Sequence, residues 1–498
     1  MAATSPKPSS HTETERKFEV VASTVTPSFD GLSSIARVER SPSQQLDAVY
    51  FDTPGRDLAR HRITLRRRTG GPDAGWHLKL PAGPDTRTEV RLPLEDDAAA
   101  QSVVPERLRD VVLAIVRGSP LASVARISTS RSVELLYGPD GSVVAEFCDD
   151  QVTASADGGD EQLWREWELE LTEGGVPDIF DRLTHRLLDA GALPAGHGSK
   201  LARVLAASGS ATDVPEPSAD PLHRAVAEQV GELLEWDRAV RSDVYDSVHQ
   251  MRVTTRRIRS LLQSSEGSFG TTNDEWILEE LRALAGVLGV ARDAEVLAER
   301  YGHALNDLPT VDVRGPVGER LVEGAKKHYQ NGWKRSLTAM SSPRYFRLLD
   351  ALEALAATEP PLPPPGEAPK QATIDGAYKR MRKATKAARA AADGTEADND
   401  EALHRIRKRA KRLRYTAAAT GANKVADRAK TIQTLLGEHH DSVVSRSHLS
   451  RQAGLAHAAG EDTFTYGLLY QQEDDLAQRC EDQLDDALKN LYKAVRRS

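Results

Sequence analysis

The feature that most constrains this chain is a change of period. Through roughly the first two hundred residues, charged and apolar side chains alternate in short runs: RITLRRR (62–68), WHLKL (76–80), RTEVRL (87–92) and WELEL (167–171). Neighbouring side chains on a strand point to opposite faces, so this alternation is a strand pattern. Turn-forming segments such as TGGPDAG (69–75) and YGPDG (137–141) separate the runs, which is the rhythm of an antiparallel sheet or barrel. Two helices are predicted within it, near Pro105–Arg117 and Pro177–Ala190. Beyond residue 220 the alternation gives way to long, Ala-rich segments of helical period.

At 498 residues the chain exceeds one ordinary core, so a multidomain protein is expected. Residues 1–10 read as a disordered N-terminus and 11–205 as an α+β domain. The aperiodic stretch AASGSATDVPEPSAD (206–220) reads as a linker, and 221–498 as an all-α domain. A Pro-rich break, ATEPPLPPPGEAPK (357–370), divides the latter into halves of about 221–356 and 371–498. The halves repeat one another. HQMRVTTRRIRS begins at His249 and HRIRKRAKRLRY at His404 with matching basic spacing, and LGVARD (288–293) is answered by LGEHHD (436–441). Matched features in the same order indicate a duplicated helical unit.

Composition narrows the function. The net charge is −8, so anion binding has to come from local clusters of Lys and Arg. Aromatics are 5% of the chain, which disfavours a base-stacking surface and makes nucleic acid an improbable partner. The two cysteines, Cys148 and Cys480, give no disulfide framework, and a reducing cytoplasm is the simplest compartment. The N-terminus lacks the apolar stretch of a secretory signal, and no apolar run is long enough to span a membrane.

In the strand region, period two places Glu13, Glu15 and Lys17 on one face, Glu168 and Glu170 on one face, and Arg66 and Arg68 on one face. Arg87, Glu89 and Arg91 alternate with Val90 and Leu92, and Lys79 is flanked by Leu78 and Leu80. A half-buried sheet with a solvated outer face gives this alternation. So does a sheet whose charged face lines a polar tunnel, with carboxylates for a hard divalent cation and Lys and Arg for phosphate oxygens. Glu13-x-Glu15-x-Lys17, Tyr50-Phe51-Asp52-Thr53, Leu65-Arg66-x-Arg68, Lys79, Glu168-x-Glu170 and Ser199-Lys200, in that order, resemble the CYTH family, the triphosphate tunnel metalloenzymes. The resemblance spans roughly 11–205 and implies an eight-stranded antiparallel barrel around a metal-dependent triphosphate site.

It further implies metal-associated roles for Glu13, Glu15, Glu168, Glu170 and one of Asp149 and Asp150, of which Asp149 is taken as the candidate. Lys17, Arg66, Arg68, Lys79, Arg87, Arg131 and Lys200 match phosphate-contacting positions. Thr129 stands where the family often has a basic residue, and Arg126 is the candidate to compensate. The expected cofactor is Mg²⁺ or Mn²⁺. Glu15, Glu170 and Lys17 are the catalytic candidates, with either a second ion or a carboxylate orienting the attacking water.

In the helical region, His249, Arg252, Arg256 and Arg259 fall within an arc of roughly 80° on a helical wheel, with Arg257 adjacent and Met251, Ile258 and Leu262 opposite. His404, Arg407, Lys411 and Arg414 form the same stripe, with Lys408 and Arg412 alongside and Leu403, Ile406, Ala410 and Leu413 opposite. Like charges one turn apart repel, and neither stripe contains an acid, so an anionic partner is expected. These segments resemble the CHAD family, the conserved-histidine α-helical domain, over about 218–498. The resemblance implies a two-fold helical bundle that binds inorganic polyphosphate and associates with polyphosphate granules. Together the two resemblances imply hydrolysis of inorganic triphosphate or polyphosphate. The alternatives are a non-catalytic polyphosphate-binding or granule-targeting protein, or, less well supported, a nucleotide or thiamine triphosphatase or an adenylyl cyclase.

Overall fold

The computed structural model describes residues 9–94, 103–172, 175–209, 220–264, 274–357, 373–390 and 396–497. The expected disordered segment 1–10, the linker 206–220 and the Pro-rich break lie largely outside these residues. The first strand begins at Ser9, inside the segment expected to be disordered.

Ten strands form one antiparallel sheet: β1 (Ser9–Val20), β2 (Arg37–Arg40), β3 (Gln44–Asp52), β4 (Thr64–Thr69), β5 (Gly75–Pro81), β6 (Thr86–Leu92), β7 (Ala122–Tyr137), β8 (Val143–Ala156), β9 (Gln162–Leu171) and the short β10 (Leu193–Pro194). Eight close into a ring in the order β1-β6-β5-β4-β3-β7-β8-β9, with β9 pairing back onto β1. Closure removes sheet edges and gives the alternation an inside and an outside. The expected barrel is therefore present.

The apolar face is the outer one. Helix α4 (Pro177–Asp189) lies against it, burying Phe180, Leu183 and Leu187 on Phe18, Phe147, Trp167 and Leu169. Pro177 starts α4 at a position whose N–H needs no partner, and Gly191, at φ +93°, follows its end. Helix α5 (Lys200–Ala207) seats Leu201, Val204 and Leu205 on Tyr50, Ala125, Ile127, Val152 and Ala154, forming an apolar plug. Ser199 caps it, its Oγ accepting from the Ala202 N–H at 3.1 Å. Three short helices, α1 (Asp57–Arg60), α2 (Glu106–Val111) and α3 (Leu113–Val116), complete the barrel domain.

The helical part comprises α6 (Pro221–Arg241), α7 (Ser247–Ser264), α8 (Asp274–Asp307), α9 (Gly324–Met340), α10 (Pro343–Ala357), α11 (Ile374–Ala390), α12 (Glu396–Ala419), α13 (Asn423–Ala458) and α14 (Phe464–Val495). The chain forms two compact units, residues 1–284 with 337–360 and residues 285–336 with 361–498. These do not coincide with the expected halves of the helical part, because residues 285–336 pack with the second half. In the first unit, Arg117 at the end of α3 bonds Glu353 of α10 and lies 2.6 Å from Asp350, while His61 lies 3.1 Å from Glu353. In the second unit, Arg300 of α8 is paired with Glu473 of α14, and α11 to α14 share one apolar cluster. Among the described residues, no helix is long and apolar enough to cross a membrane.

Candidate functional site

The barrel encloses a cavity of about 490 Å³. Strand parity turns Glu13, Glu15 and Lys17 of β1, Arg66 and Arg68 of β4, Lys79 of β5, Arg87 of β6, Arg131 of β7 and Glu168 and Glu170 of β9 into it, and α5 adds Lys200. Eleven charged side chains from seven elements thus meet around one space although none is next to another in sequence.

The charges are sorted inside. Lys200, 8% exposed, carries its ammonium to 2.8 Å from Asp150, 2.7 Å from Glu166 and 2.8 Å from Glu168. Arg131 forks onto Asp150 at 2.8 and 2.6 Å and reaches Glu168 at 2.5 Å. Lys17 bonds both Glu168 and, at 2.9 Å, Glu15. Burial pushes the Glu168 carboxyl up, but Lys17, Lys200 and Arg131 outweigh it and hold it well below the usual carboxylate range. The Lys200 ammonium thus sits among Asp150, Glu166 and Glu168, whose ligand oxygens lie within 4.8 Å of one another, close enough to share a metal ion.

A second acidic row differs at one carboxyl. Across the ladders, Glu15 is opposite Glu170 and Glu170 is opposite Glu146, so three carboxyls line up over β1, β9 and β8. All three face the cavity, with Glu13 beside them. Burial and then Glu13 raise the Glu170 carboxyl to about 7, with Glu146 and Glu15 adding to the rise and Lys79 opposing it. Burial also pushes Glu15 up, but Lys17 and Lys79 hold it at about 2. Glu13 and Glu15 are bonded by Lys79 and Lys17, so the under-compensated carboxyl of the row is Glu170. All four are hard oxygen donors of the kind Mg²⁺ or Mn²⁺ takes, and beside them His11, Glu13 and Glu89 bring their ligand atoms within 4.8 Å of one another. Glu13, Glu15, Glu146 and Glu170 would hold the ion.

Facing these acids, Arg66 donates to the Tyr50 hydroxyl at 3.3 Å, and Arg68 pairs with Asp73. The Nε atoms of both arginines are buried with no hydrogen-bond partner in the structure, which leaves donor capacity beside the cavity. Arg87 lies 3.1 Å from Glu15, and Lys79 lies 2.5 Å from Glu13.

The family model described as the CYTH domain matches residues 11–184, and the one described as the CHAD domain matches 224–450. Two uncharacterized Mycobacterium tuberculosis proteins, MT2285 of strain CDC 1551 / Oshkosh and Rv2226 of strain ATCC 25618 / H37Rv, are each 62% identical over the whole of both chains. The chain belongs to the CYTH–CHAD family.

Solved structures similar to parts of this CYTH–CHAD protein include PptA from Streptomyces chartreusis, 22% identical, covering 55% of this chain and 100% of its own, with a TM-score of 0.43. Another is the CHAD domain from the plant Ricinus communis, 22% identical, covering 56% of this chain and 93% of its own, with a TM-score of 0.38.

Two sequence expectations need correction. Asp149 does not face the tunnel: it is opposite in parity to Asp150 and is bound by Arg165 at 2.8 and 2.6 Å and by Thr26 at 2.9 Å. Arg126 is exposed on the outer face, paired across the sheet with Val49 and Ser155, so it does not stand in for a basic residue at Thr129. Glu146, Glu89, Arg91 and His11 also line the cavity. Parity carried back from Asp150 through Cys148 to Glu146 was the available signal.

In the CHAD domain, Met251, Ile258 and Leu262 are buried beneath α7, while Arg256 and Arg257 are exposed and Arg252 and Arg259 half-buried. Burial, then Arg282 of α8, lowers the Arg259 guanidinium, so α8 adds a cation to this surface. On α12, Leu403, Ile406, Ala410 and Leu413 are buried, Lys408 and Arg412 exposed, and His404, Arg407, Lys411 and Arg414 half-buried. Gly437 of α13 gives Arg407 its room, since a Cβ there would lie 3.4 Å from the guanidinium. The His404 ring is 5.3 Å from that of His440, and Arg414 donates to Gln433 at 3.3 Å. His439 is buried and paired with Glu481 at 2.8 Å, a helix-packing role. His249 lies on α7, at the head of its stripe.

Proposed function

We propose that the tunnel binds the triphosphate end of an inorganic polyphosphate and hydrolyses it with Mg²⁺ or Mn²⁺, and that the α7 and α12 faces bind longer polyphosphate. The observation that supports this reading is the convergence of carboxyls and cations from separate strands on one cavity, where Glu170 is under-compensated and Arg66 and Arg68 keep buried Nε donors without partners. When bound, the ion supplies charge neutralisation to the phosphate oxygens and a polarised water. Glu13, Glu15, Glu146 and Glu170 would hold it. Arg66, Arg68, Arg87 and Lys79 align the phosphate oxygens and absorb charge as the anhydride bond breaks. Lys17, Arg131 and Lys200 fix Glu168 and the tunnel wall. Association with polyphosphate granules in the cytoplasm follows as part of the proposal.

Orthophosphate release from tripolyphosphate, ATP and thiamine triphosphate, each with Mg²⁺ and with Mn²⁺, tests the reading. Tripolyphosphate should be the preferred substrate, and Glu170→Gln should remove turnover. Absence of release with every metal and substrate ends the hydrolase reading. One observation favours a second reading, in which the barrel grips a chain end without cleaving it. Thr129 is buried in the barrel wall, and Arg126 points away, so one phosphate-neutralising charge is missing. Tight tripolyphosphate binding without turnover selects that reading.

A further inference from the structure

The turn between β4 and β5 carries Pro72 and Asp73 onto the lining of the tunnel. Its ends are packed down on neighbouring strands. At Gly70, φ +77°, a Cβ would collide with the Gln45 carbonyl of β3, and at Gly75 a Cβ would lie 2.7 Å from the Leu92 carbonyl of β6. Glycine is needed at both ends for that reason. Buried His77 pins the turn from below. Its Nε2–H donates to the Asp73 carbonyl at 3.0 Å, and its Nδ1 lies 3.0 Å from Glu89. The backbone at Asp73 is thus fixed by the protein itself.

The Asp73 side chain reaches an arginine of the tunnel. Its carboxylate bonds Arg68 and lies 4.0 Å from Arg91. The Asp73 side chain is 34% exposed and that of Arg68 only 7%, so an acid at the rim holds a buried cation. Burial raises the Asp73 carboxyl, but Arg68, His77, Arg91 and Arg66 outweigh it and hold it below its ordinary value. Burial and then Arg66 lower the Arg68 guanidinium, with Arg131 adding to the fall and Asp73 opposing it. Three guanidinia therefore repel one another beside the cavity, and Asp73 offsets them.

A phosphate oxygen would do the same work: accept from the Arg68 guanidinium and neutralise it. Arg87 and Lys79 also have acid partners, but these are Glu15 and Glu13, which belong to the metal-candidate row. Asp73 stands outside that row, in the turn.

We propose that Asp73 is a built-in competitor of the substrate: its carboxylate contends with a phosphate group of the entering polyphosphate for Arg68, and so sets how tightly the tunnel grips. This role rests on the tunnel binding a triphosphate. Because the carboxylate is tethered, it competes without dilution. Holding Arg68 in about nine molecules of ten would lower substrate affinity about tenfold.

Calorimetric titration of the full chain with tripolyphosphate, in EDTA so that no turnover intervenes, tests it. Asp73→Asn keeps the backbone carbonyl that His77 holds, and should bind about tenfold more tightly than wild type. Asp73→Ala, a second way of removing the charge, should gain similarly. Damage to the turn would weaken binding, so the sign separates competition from a structural role. In an Arg68→Ala background, Asp73→Asn should change affinity by less than about twofold, because the contested group is gone. Binding by Asp73→Asn and Asp73→Ala that equals or falls below wild type overturns the proposal and leaves tunnel binding standing. An undiminished gain in the Arg68→Ala background overturns it too, since that gain would come from the general field. Absence of tripolyphosphate binding by every chain removes the tunnel reading and the competitor with it.

Discussion

Replacing Lys200 with alanine tests whether the tunnel wall is held by charge. The ammonium is 8% exposed and sits within 2.8 Å of Asp150, Glu166 and Glu168, so its removal leaves three buried carboxyls with less compensation. Breaking a buried pair by deleting one partner costs about 3–5 kcal/mol. Arg131 still covers Asp150 and Glu168, and Lys17 still covers Glu168, which places the expected loss near the lower end, about 3 kcal/mol. The pH dependence follows from the signs. In the wild type, Asp150 and Glu168 titrate below their unfolded values, so their contribution is complete above about pH 4–5 and is lost as acid protonates them. In Lys200→Ala their values rise, protonation relieves the repulsion, and the deficit relative to wild type shrinks from pH 7 to pH 5. Hydrogen exchange of peptides covering β8 and β9 reads the barrel separately from the helices. At pH 7 the variant should exchange on the order of 100-fold faster. A change below about threefold, or a deficit that does not vary with pH, refutes the electrostatic account of the wall.

Alanine at Arg252, Arg256, Arg407 and Lys411 together should weaken polyphosphate binding by at least about tenfold and flatten its salt dependence; retained, equally salt-sensitive binding in a filter assay rejects the stripes. Arg117→Ala removes the contacts to Asp350 and Glu353 and should destabilise α10 by about 1–3 kcal/mol, read as faster exchange in 343–357; unchanged exchange rejects a docking role for Arg117. His448 has a folded pKa of about 4 against about 6.5 unfolded, so stability present above pH 6.5 should fall between pH 6.5 and 4. His448→Gln should show a shallower fall in that window, and an identical slope contradicts the assignment.

Much of the barrel is legible in the sequence because its side chains follow period two over runs long enough to set parity. Arg66 with Arg68, and Glu168 with Glu170, reach the cavity together for that reason. Parity fails where the sequence offers two adjacent candidates. Asp149 and Asp150 are chemically alike, and only the fold separates them: Arg165 of β9 binds Asp149 on the outer face, and Lys200, brought in by α5, binds Asp150 on the inner one. Glu146 is missed for the same reason: its role arises from facing Glu170 across a ladder, which is a property of pairing. The apolar backs of α7 and α12 follow from helical period alone. The compact units do not, because residues 285–336 join the second half through long-range pairs such as Arg300 with Glu473 and Arg320 with Glu461.

The most direct test of the central claim is an anomalous difference map from crystals grown with Mn²⁺ and tripolyphosphate. The account places the manganese peak at Glu13, Glu15, Glu146 and Glu170, with phosphate density running toward Arg66 and Arg68. A peak among Asp150, Glu166 and Glu168, with Lys200 displaced, or tripolyphosphate bound only outside the barrel, would contradict it.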